Sequence, residues 1–538
     1  MTTFLKNFTK NPKNDILSGI TVALALVPEA VAFAFVADVP PLVGLYGAFM
    51  MGIVTAFFGG RPGMISGATG AMAVVMVHLV AKGNAVGLTL EQPVELLGLQ
   101  WLFITLLLVG LIQISAGALK LGKFVRLIPH SVMLGFVNGL AIVIFLSQLE
   151  LFKVKSGGEE SWLAGTPLLI MLGLIAITMG IMWGLPKLTK KVPSALVAII
   201  VVAAIAIFAK LDVGTVGSFI RDGGGSGLKG GLPQFQWQIF ELFGTLDGHI
   251  LSTILPTAFV LAAIGLIESL MTLNLIDELT ESRGSGNREC VAQGSANILN
   301  GLFGGMGGCA MIGQSIINVN SGGRGRLSGV MAAIALLCFI LFAAPLIEQI
   351  PIAALIGVMF MVVIGTFAWS SFRILHKIPL ADTIVLIVVS AITVWKDLAV
   401  AVIAGVIISA LVFAWKNATM IRARKLTKKN GTKVYEIWGP LFFGSVQNFN
   451  SKFDPQNDPE KIEIDFIESK VSDHSGIEAL RGIVNKYEQV GKDVVLTHLS
   501  PDCIALLTKA NPGFNNHIER SIDDPRYYVV TDTVDAQV

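Results

Sequence analysis

Apolar runs dominate the chain from Ile16 to Trp415. Runs of roughly 18 or more apolar residues recur there, and a run of that length crosses a bilayer as an α-helix. The connections between them are short and polar or glycine-rich. The pattern therefore predicts an all-α polytopic membrane domain with about fourteen spans. The predicted spans are residues 16–37, 42–58, 69–81, 97–119, 130–149, 166–184, 193–210, 250–275, 291–303, 310–319, 327–347, 352–369, 381–395 and 397–415.

The placement of basic residues predicts which side of the membrane each loop faces. If the N-terminus is cytoplasmic, Lys and Arg cluster in the inner loops, as at Lys187, Lys190 and Lys191. Cytoplasmic loops carry such an excess of cations. We therefore expect a multi-pass protein of the cytoplasmic (inner) membrane, and the even number of spans puts both termini inside. The predicted outer loops carry few cations, namely Lys82, Lys153, Lys155, Lys210, Arg221, Lys229 and Lys396.

Two of the predicted spans are too short to cross the membrane. Residues 69–81 follow a glycine-rich turn that starts at Gly59, and residues 310–319 follow one that starts at Gly304. A run of about ten apolar residues makes a helix of roughly 15 Å, half the hydrocarbon thickness. Its first backbone N–H groups lack intrahelical acceptors and, together with the positive end of the helix dipole, suit an anion in a buried cavity. The predicted anion-binding residues are Phe33 as an apolar wall, Thr69, Gly70, Ala71 and Met72 in the first half-helix, and Met311, Ile312, Gly313 and Gln314 in the second.

Two carboxylates lie in the middle of predicted spans. Glu29 is in the first span and Glu268 in the eighth, and Thr272 shares a helix face with Glu268 because it follows by four positions. A charge at the bilayer centre costs roughly 2.5–3.5 kcal/mol on insertion scales, so it needs a partner, a proton or a cation. We expect Glu268 and Thr272 to bind Na⁺, or Glu268 to carry a proton, with Glu29 as a further cation-coupling residue. The alternative is that these glutamates only bond to neighbouring helices and that Phe33 only packs.

The two halves of the membrane domain share these features in the same order. Each half has a mid-membrane carboxylate, Glu29 or Glu268, followed by a glycine-rich turn and a short span. Interrupted hydrophobic segments at matching positions indicate an inverted-repeat transporter with its site at the repeat interface. We therefore predict seven spans per half, with the site at spans 1, 3, 8 and 10. Since glycine is common in membrane helices, a chance match is the alternative.

The composition changes after Lys429, where short strands alternate with helices, as in a small soluble α/β domain. The predicted elements are a strand pair over Tyr435–Phe449, strands at 461–467 and 494–498, and helices at 475–489 and 502–510. The predicted organisation is a cytoplasmic N-terminus at residues 1–15, a transmembrane domain at 16–416, a linker at 417–430 and a cytoplasmic C-terminal domain at 431–538.

Composition agrees with a membrane protein and gives no sign of an enzyme. The 538-residue chain is 53% hydrophobic and 14% charged, against roughly 25% charged in soluble domains, and its mean hydropathy is +0.72. The sequence contains no visible nucleophile triad, metal-ligand cluster or Walker loop. We therefore expect no enzymatic activity, no cofactor apart from a coupling Na⁺, and no nucleic-acid partner. We expect four cysteines to pack as small apolar residues, namely Cys290, Cys309, Cys338 and Cys503. We expect His78 and His130 to pack or to lie at the membrane interface.

Two stretches resemble the SulP anion transporters, the family that includes the mammalian anion exchangers and the motor protein prestin. The first is Pro28–Ala34 followed by Val39–Tyr46, and the second is Ser321–Arg324 with Leu327–Gly329. The region after Lys429 resembles a STAS domain, the sulfate transporter and anti-sigma antagonist module. The resemblance implies a seven-plus-seven inverted repeat in which a core domain moves against a gate domain. It also implies a homodimer with cytoplasmic STAS domains.

The resemblance further implies where the ions bind. The family's anion site lies between spans 3 and 10, with contributions from span 1. The acidic residue of span 8, here Glu268, is associated with Na⁺ or H⁺ coupling in bacterial and plant members. Cyanobacterial bicarbonate transporters have Asp there, followed by a threonine like Thr272, and Thr69 also has a match in them.

Three positions depart from many members of the family. Ala71 replaces Pro, Gln314 replaces Arg, and Glu29 stands where many exchangers have Gln. The missing positive charge at Gln314 means that the anion preference of those members does not carry over directly. The extra negative charge at Glu29 weakens anion binding unless it is neutralised, so this position favours cation coupling.

The loop Ser472–Gly476 resembles the phosphorylated Asp-Ser pair of anti-sigma antagonists. A phosphate on Ser475 would be stabilised by the N-terminus of the helix that follows. Ser475 is therefore a candidate phosphorylation site, and an ordinary N-cap serine is the alternative.

These observations predict a secondary active transporter that moves a small inorganic anion, bicarbonate or sulfate, across the cytoplasmic membrane. We expect alternating access coupled to Na⁺ or H⁺. The expected partners are the anion, the coupling cation, the lipid bilayer and a second copy of the chain. The alternatives are an uncoupled anion channel, a dicarboxylate transporter of the same family, a membrane-tethered signalling protein and a nucleobase carrier on the same fold.

Overall fold

The structure is a computed structural model that divides the chain into two compact units, Met1–Val406 and Ile407–Val538. Most of the predicted N-terminal segment 1–15, the end of the predicted C-terminal domain, and the basic residues Lys190, Lys191, Lys229 and Lys396 lie outside the described residues. The described residues are Phe8, 11–89, 96–122, 129–156, 159–189, 193–222, 230–243, 248–395 and 398–520.

The first unit is mostly helical, as the hydrophobic runs predict. Its first helices are α1 (Pro12–Val36), α2 (Pro41–Phe58), α3 (Gly70–Thr89), α4 (Leu97–Ala118), α5 (His130–Glu150), α6 (Thr166–Leu188), α7 (Ser194–Phe208), α8 (Val216–Asp222) and α9 (Gln238–Phe243). The later ones are α10 (Gly248–Thr280), α11 (Gly286–Phe303), α12 (Ile312–Asn320), α13 (Arg326–Phe342), α14 (Ala344–Glu348), α15 (Ile352–Thr366), α16 (Ser370–Ile374), α17 (Leu380–Trp395) and α18 (Leu398–Met420), which continues into the second unit.

Not every predicted span has the length and composition of a membrane helix. Nine helices in the described part of the chain are long and apolar enough to cross a membrane, and three further apolar helices have 10–17 residues. The predicted spans 291–303 and 310–319 correspond to α11 and α12, which fall in neither group. Among the described residues, the helices that are apolar enough to be membrane spans are therefore fewer than the fourteen predicted spans.

The third predicted span is longer than expected. The apolar run ends near residue 81, but α3 continues to Thr89 and has 20 residues, or about 30 Å at 1.5 Å per residue. The helix continues through polar residues such as Lys82, because a helix does not have to end where its apolar run ends. The predicted half-helix 69–81 is therefore wrong in length. By contrast, α12 has only nine residues, as predicted for the second half-helix.

Two three-residue strands lie inside the helical unit. β1 (Ser66–Ala68) and β4 (Gly308–Ala310) pair antiparallel, with Ser66 opposite Ala310 and Ala68 opposite Gly308. A second antiparallel pair joins β2 (Lys153–Ser156) to β3 (Glu159–Trp162).

Small residues let the helices around the first strand pair approach closely. A Cβ at Gly294 of α11 would lie 2.5 Å from the carbonyl oxygen of Gly110 in α4, so only glycine permits this approach. Helices α1–α4 and α10–α13 pack into one group, and α5, α6, α7, α15 and α17 form a second group.

The second unit contains a four-stranded sheet of β5 (Arg422–Thr427), β6 (Lys433–Trp438), β7 (Lys461–Glu468) and β8 (Asp493–Thr497), in that order. β5 and β6 are antiparallel, whereas β6, β7 and β8 run parallel. The remaining elements are α19 (Val446–Asn450), α20 (His474–Glu488), α21 (Pro501–Ala510) and a 3₁₀ turn at Pro512–Asn516.

Two predictions about this unit are wrong. The predicted strand pair over Tyr435–Phe449 contains a single strand, because α19 occupies its second half. The predicted linker 417–430 contains the end of α18 and the whole of β5, which pairs with β6. The predicted helices and the other strands are confirmed.

A buried carboxylate in the loop before β7 joins β6 to α20. Asp458 accepts hydrogen bonds from Lys433 Nζ, from the Tyr435 hydroxyl at 2.6 Å and from the Tyr487 hydroxyl. Burial opposes its ionisation, but these hydrogen bonds outweigh burial and lower the pKa of Asp458. Both tyrosines belong to a hydrophobic core that includes Phe466. The unit therefore has a core of its own.

Candidate functional site

Two helices begin at the β1–β4 strand pair. α3 starts at Gly70, two residues after β1, and α12 starts at Ile312, two residues after β4. Because the strands are antiparallel, the chain leaves the pair in opposite directions. Both helix N-termini, which are the positive ends of the helix dipoles, therefore lie at the same strand pair.

The first backbone N–H groups of both helices precede any intrahelical bond. The earliest such bonds run from Ala73 N–H to Thr69 O and from Ser315 N–H to Met311 O, each at 3.0 Å. In each helix, the N–H groups that come before this bond have no acceptor within the helix, as is usual at a helix start. One predicted donor is wrong, because Met311 N–H donates to Ile65 O at 2.9 Å. Predicted donors that precede the first intrahelical bond are those of Gly70, Ala71, Met72, Ile312, Gly313 and Gln314.

Glu268 of α10 is joined to both helix starts through a cysteine. The Cys309 thiol in β4 donates to Glu268 Oε2 at 2.9 Å, and Thr69 Oγ1 lies 3.3 Å from the same sulfur. Cys309 is fully buried. The sequence predicts small apolar filler at this position, whereas the structure gives the Cys309 thiol two polar neighbours. Its position inside the glycine-rich break is the one signal that could have revealed this polar role.

Thr272 lies on the same face of α10 as Glu268, but its hydroxyl bonds to backbone. Thr272 Oγ1 donates to Glu268 O at 2.8 Å and lies 3.4 Å from Ala310 O. One turn away, Ser269 Oγ accepts from Ala310 N–H at 3.1 Å. Together these bonds fasten α10 to the end of β4. A hydroxyl oxygen that donates one bond still has lone pairs for a cation.

The helix that carries Glu29, α1, packs against α12, in which Gln314 is the third residue. The Gln314 side chain is buried, and its Oε1 has no hydrogen-bond partner among the described residues. Pro28 precedes Glu29 and lacks an N–H, so one carbonyl of the preceding turn of α1 loses its helical donor.

Phe33 packs directly against the start of α3. A Cβ at Gly70 would lie 2.7 Å from Phe33 Cε1 and 2.9 Å from Ile144 Cδ1. A side chain at position 70 would displace the ends of both side chains, and Phe33 and Ile144 each cover the helix N-terminus with apolar surface. Ala71 and Met72, which follow Gly70, are both buried. The position of Phe33 agrees with the predicted apolar wall and equally with packing.

α11 presents a buried polar face that the sequence analysis missed. Glu289, Gln293, Asn297 and Asn300 recur every three or four positions, which puts them on one side of the helix, and none has exposed surface. The predicted span 291–303 treats this segment as an ordinary apolar helix. The regular spacing of amide and carboxyl side chains is the signal that could have found them.

This polar face holds both strands in position. Asn297 Nδ2 donates to Gly308 O at 3.1 Å, and Asn297 Oδ1 accepts from Gly308 N–H at 3.1 Å. Gln293 Nε2 donates to Ser66 Oγ at 2.9 Å. A strand edge that is not paired with another strand needs such cover. The polar face of α11 therefore bonds to both of the strands that lead into α3 and α12.

The predicted phosphorylation site lies at a helix start in the second unit. Asp473 is the N-cap of α20, because its Oδ1 accepts from Gly476 N–H at 2.8 Å, so Ser475 is not the N-cap. Ser475 is exposed in the first turn of α20. Its phosphorylation remains a prediction.

The fold and the site together define a class of protein. Apolar helices long enough to cross a membrane enclose a strand pair at which two helix N-termini meet beside carboxylates, and a separate α/β unit follows. Residues 13–389 match the sulfate permease family, and residues 423–524 match the STAS domain. The chain belongs to the sulfate permease family and carries a C-terminal STAS domain, as the sequence resemblance predicts.

Relatives of known name cover most of the chain. It is 42% identical to "Putative sulfate transporter YbaR" of Bacillus subtilis, over 91% of this chain and 95% of that protein. It is 33% identical to "Bicarbonate transporter BicA" of Synechocystis, over 74% of this chain and 69% of that protein. The chain is therefore similar to one protein named for sulfate and one named for bicarbonate.

Two solved structures share the fold. The transmembrane domain of a cyanobacterial bicarbonate transporter BicA superposes with a TM-score of 0.61 at 32% identity, over 73% of this chain and 98% of that one. The structure of SLC26A9 superposes with a TM-score of 0.77 at 17% identity, over 97% of this chain and 90% of that one. At 17% identity, the similarity to SLC26A9 shows a shared fold and nothing more.

Proposed function

We propose that this protein is a secondary active transporter that moves bicarbonate or sulfate across the cytoplasmic membrane, coupled to Na⁺ or H⁺. The observation that carries the proposal is the meeting of two helix N-termini at the β1–β4 pair, with Glu268 bonded to Cys309 between them. Membership of the sulfate permease family and similarity to proteins named as sulfate and bicarbonate transporters support anion transport.

The anion binds to backbone N–H groups at the two helix starts. Those of Gly70 and Ala71 in α3 and of Ile312 and Gly313 in α12 precede the first intrahelical bonds. Two dipoles with their positive ends at one place favour a negative charge without a fixed cation. Such a site can release its ligand, because no buried salt bridge has to be broken.

Glu268 couples the cation to the anion. An ionised Glu268 accepts a hydrogen bond from the Cys309 thiol, and Cys309 in turn lies against Thr69 at the start of α3. Binding of Na⁺ or a proton at Glu268 removes a negative charge from the neighbourhood of the anion. The cation therefore strengthens anion binding, and by linkage the anion strengthens cation binding.

The contacts across the strand pair support a seven-plus-seven inverted repeat. The helix that carries Glu29 in the first half packs against α12 of the second, whereas Glu268, from the second half, reaches Thr69 in the first through Cys309. Exchanged contacts of this kind suit two repeats that enclose one site. The proposal includes fourteen spans, a core that moves against a gate, a homodimer, and cytoplasmic STAS domains.

Uptake into proteoliposomes under imposed gradients tests the proposal. The purified protein should accumulate labelled bicarbonate or sulfate only when an inward Na⁺ or H⁺ gradient is present. Glu268→Gln should abolish that dependence, because an amide neither ionises nor carries the coupling proton. Glu241→Gln, the same change at an exposed position on α9, is the matched control and should behave as wild type.

Two outcomes would contradict parts of the proposal separately. Anion flux that is indifferent to both gradients would indicate an uncoupled channel. Unchanged cation dependence in Glu268→Gln would leave anion transport in place and remove Glu268 as the coupling group.

A further inference from the structure

A second cavity lies away from the strand pair, between the two groups of helices. It has a volume of about 330 Å³ and is lined by residues of α3 and α10 on one side and of α5 and α17 on the other. At about 30 Å³ per water molecule, this space accommodates a small hydrated ion. Its lining residues include His78, Lys82, Thr253, Thr257 and Thr393.

The cavity is cationic. His78 and Lys82 are four positions apart on α3 and therefore share a face, and both side chains are exposed. The described residues that line the cavity include no carboxylate. Lys82 Nζ donates to Thr253 Oγ1 at 2.8 Å, and an ammonium group has three donors. The lysine can therefore hold an anion while it keeps its bond to the threonine.

An apolar contact separates this cavity from the start of α3. Val74 lines the cavity and lies one helical turn beyond Gly70, and Val143 lines it beside Ile144. Ile144 and Phe33 both pack on Gly70. A path along α3 therefore starts in the cavity, passes the apolar side chains of Phe33 and Ile144, and ends at the predicted anion donors at the N-terminus of α3.

We propose that the cavity is a second binding site for the transported anion, an antechamber in which Lys82 and His78 hold bicarbonate or sulfate before it passes Phe33 and Ile144. The inference rests on the proposed function, and it adds a site and two ligands to it. The Lys82 ammonium supplies charge, and the His78 ring supplies an N–H donor in either protonation state. The hydroxyls of Thr253 and Thr257 on α10 and of Thr393 on α17 complete the polar lining.

Initial uptake rates against external anion concentration test the antechamber. Lys82→Gln should raise the half-saturating concentration by about threefold for bicarbonate and about tenfold for sulfate, since exposed pairs are weak and the divalent ion interacts twice as strongly. Added inert salt should weaken wild-type uptake and have less effect on Lys82→Gln. The maximal rate should stay near wild type, and Lys82→Arg should restore affinity.

Matched variants separate this inference from the proposed function. Lys210→Gln removes an exposed lysine that does not line the cavity and should leave affinity and salt dependence unchanged. His78→Gln should raise the half-saturating concentration, though less than Lys82→Gln. Suppose that the wild type takes up the anion and that both Lys82→Gln and His78→Gln keep its affinity and its salt dependence. This result would overturn the antechamber and leave the proposed function in place. Absence of anion uptake by the wild type would overturn the proposed function and the antechamber with it.

Discussion

Asn297 is the buried side chain whose replacement should most disturb the strand pair. Its Oδ1 accepts from Gly308 N–H, and the two hydrogens of its Nδ2 are shared among Gln113 Oε1 at 3.0 Å, Gly308 O at 3.1 Å and Gln293 O at 3.2 Å. Leucine has the same number of side-chain heavy atoms in the same branched arrangement, but none of them is polar. Asn297→Leu therefore removes the hydrogen bonds and keeps the branched shape of the side chain.

The cost follows from the groups that lose a partner. Asn297→Leu leaves the N–H and the C=O of Gly308 and the Gln113 oxygen without the bonds that Asn297 supplies. A buried polar group left unsatisfied costs about 1–3 kcal/mol, so three such groups cost about 5 kcal/mol. Net domain stabilities are about 5–15 kcal/mol, so we expect a folded but weakened protein in which the start of α12 is displaced.

Two measurements on the purified protein check this prediction. The midpoint of thermal unfolding, followed by tryptophan fluorescence in detergent, should fall by about 5 °C or more. Anion uptake by the variant should show a raised half-saturating concentration, because misplaced backbone donors hold the anion less well. Ser295→Ala, on a partly exposed side of the same helix, is the matched control and should change neither quantity.

The prediction has a clear refutation. If Asn297→Leu unfolds at the same temperature as Ser295→Ala and transports with the same affinity, the polar face of α11 does not position β4. A lower unfolding temperature with unaltered affinity would keep the structural role and reject the link to the anion.

Two further predictions concern a thiol and a buried carboxylate. Cys309→Ala removes the donor to Glu268 Oε2, so the dependence of uptake on Na⁺ concentration and pH should shift, and Cys309→Ser should restore it. In the STAS domain, Asp458→Asn should lower the unfolding free energy at pH 7 by about 3 kcal/mol, measured in urea on a fragment beginning at Ile421. The folded pKa of Asp458 lies below the unfolded value of about 4. Wild-type stability from this group is therefore present above that value and lost as the pH falls through the folded pKa, whereas the variant should lack this acid dependence.

Each of these variants has a control of the same chemistry. Cys338→Ala removes an exposed thiol and should leave the cation dependence unchanged; an equal effect at both cysteines would contradict the role of Cys309. Asp493→Asn changes an exposed carboxylate of the same domain. Equal acid sensitivity of the Asp458 and Asp493 variants would contradict the stabilising role of Asp458.

Hydrophobic patterning predicted most helices because burial of apolar side chains in lipid depends on the local composition of a segment. The short second half-helix was predicted for the same reason, since Gly304–Gly308 interrupts one apolar run and a polar segment ends the next. The motifs from Pro28 to Tyr46 were sufficient to indicate the family, which the match over residues 13–389 confirms.

Partners distant in the sequence could not be predicted in this way. Residues 66–68 pair with 308–310, and Cys309 meets Thr69 across 240 positions. Nothing in the local composition around Asn297 identifies Gly308 as its partner. Even the length of α3 depends on polar residues beyond its apolar run.

The sequence by itself determined that this protein is a helical membrane protein with a C-terminal α/β domain and a glycine-rich break before a short helix. It did so because hydrophobicity and glycine content act over a few neighbouring residues. Only the tertiary structure decided which N–H groups stay free, which thiol bonds to Glu268 and which helix holds the strands. Hydrogen bonds are short and directional, so their partners are chosen by how distant segments pack.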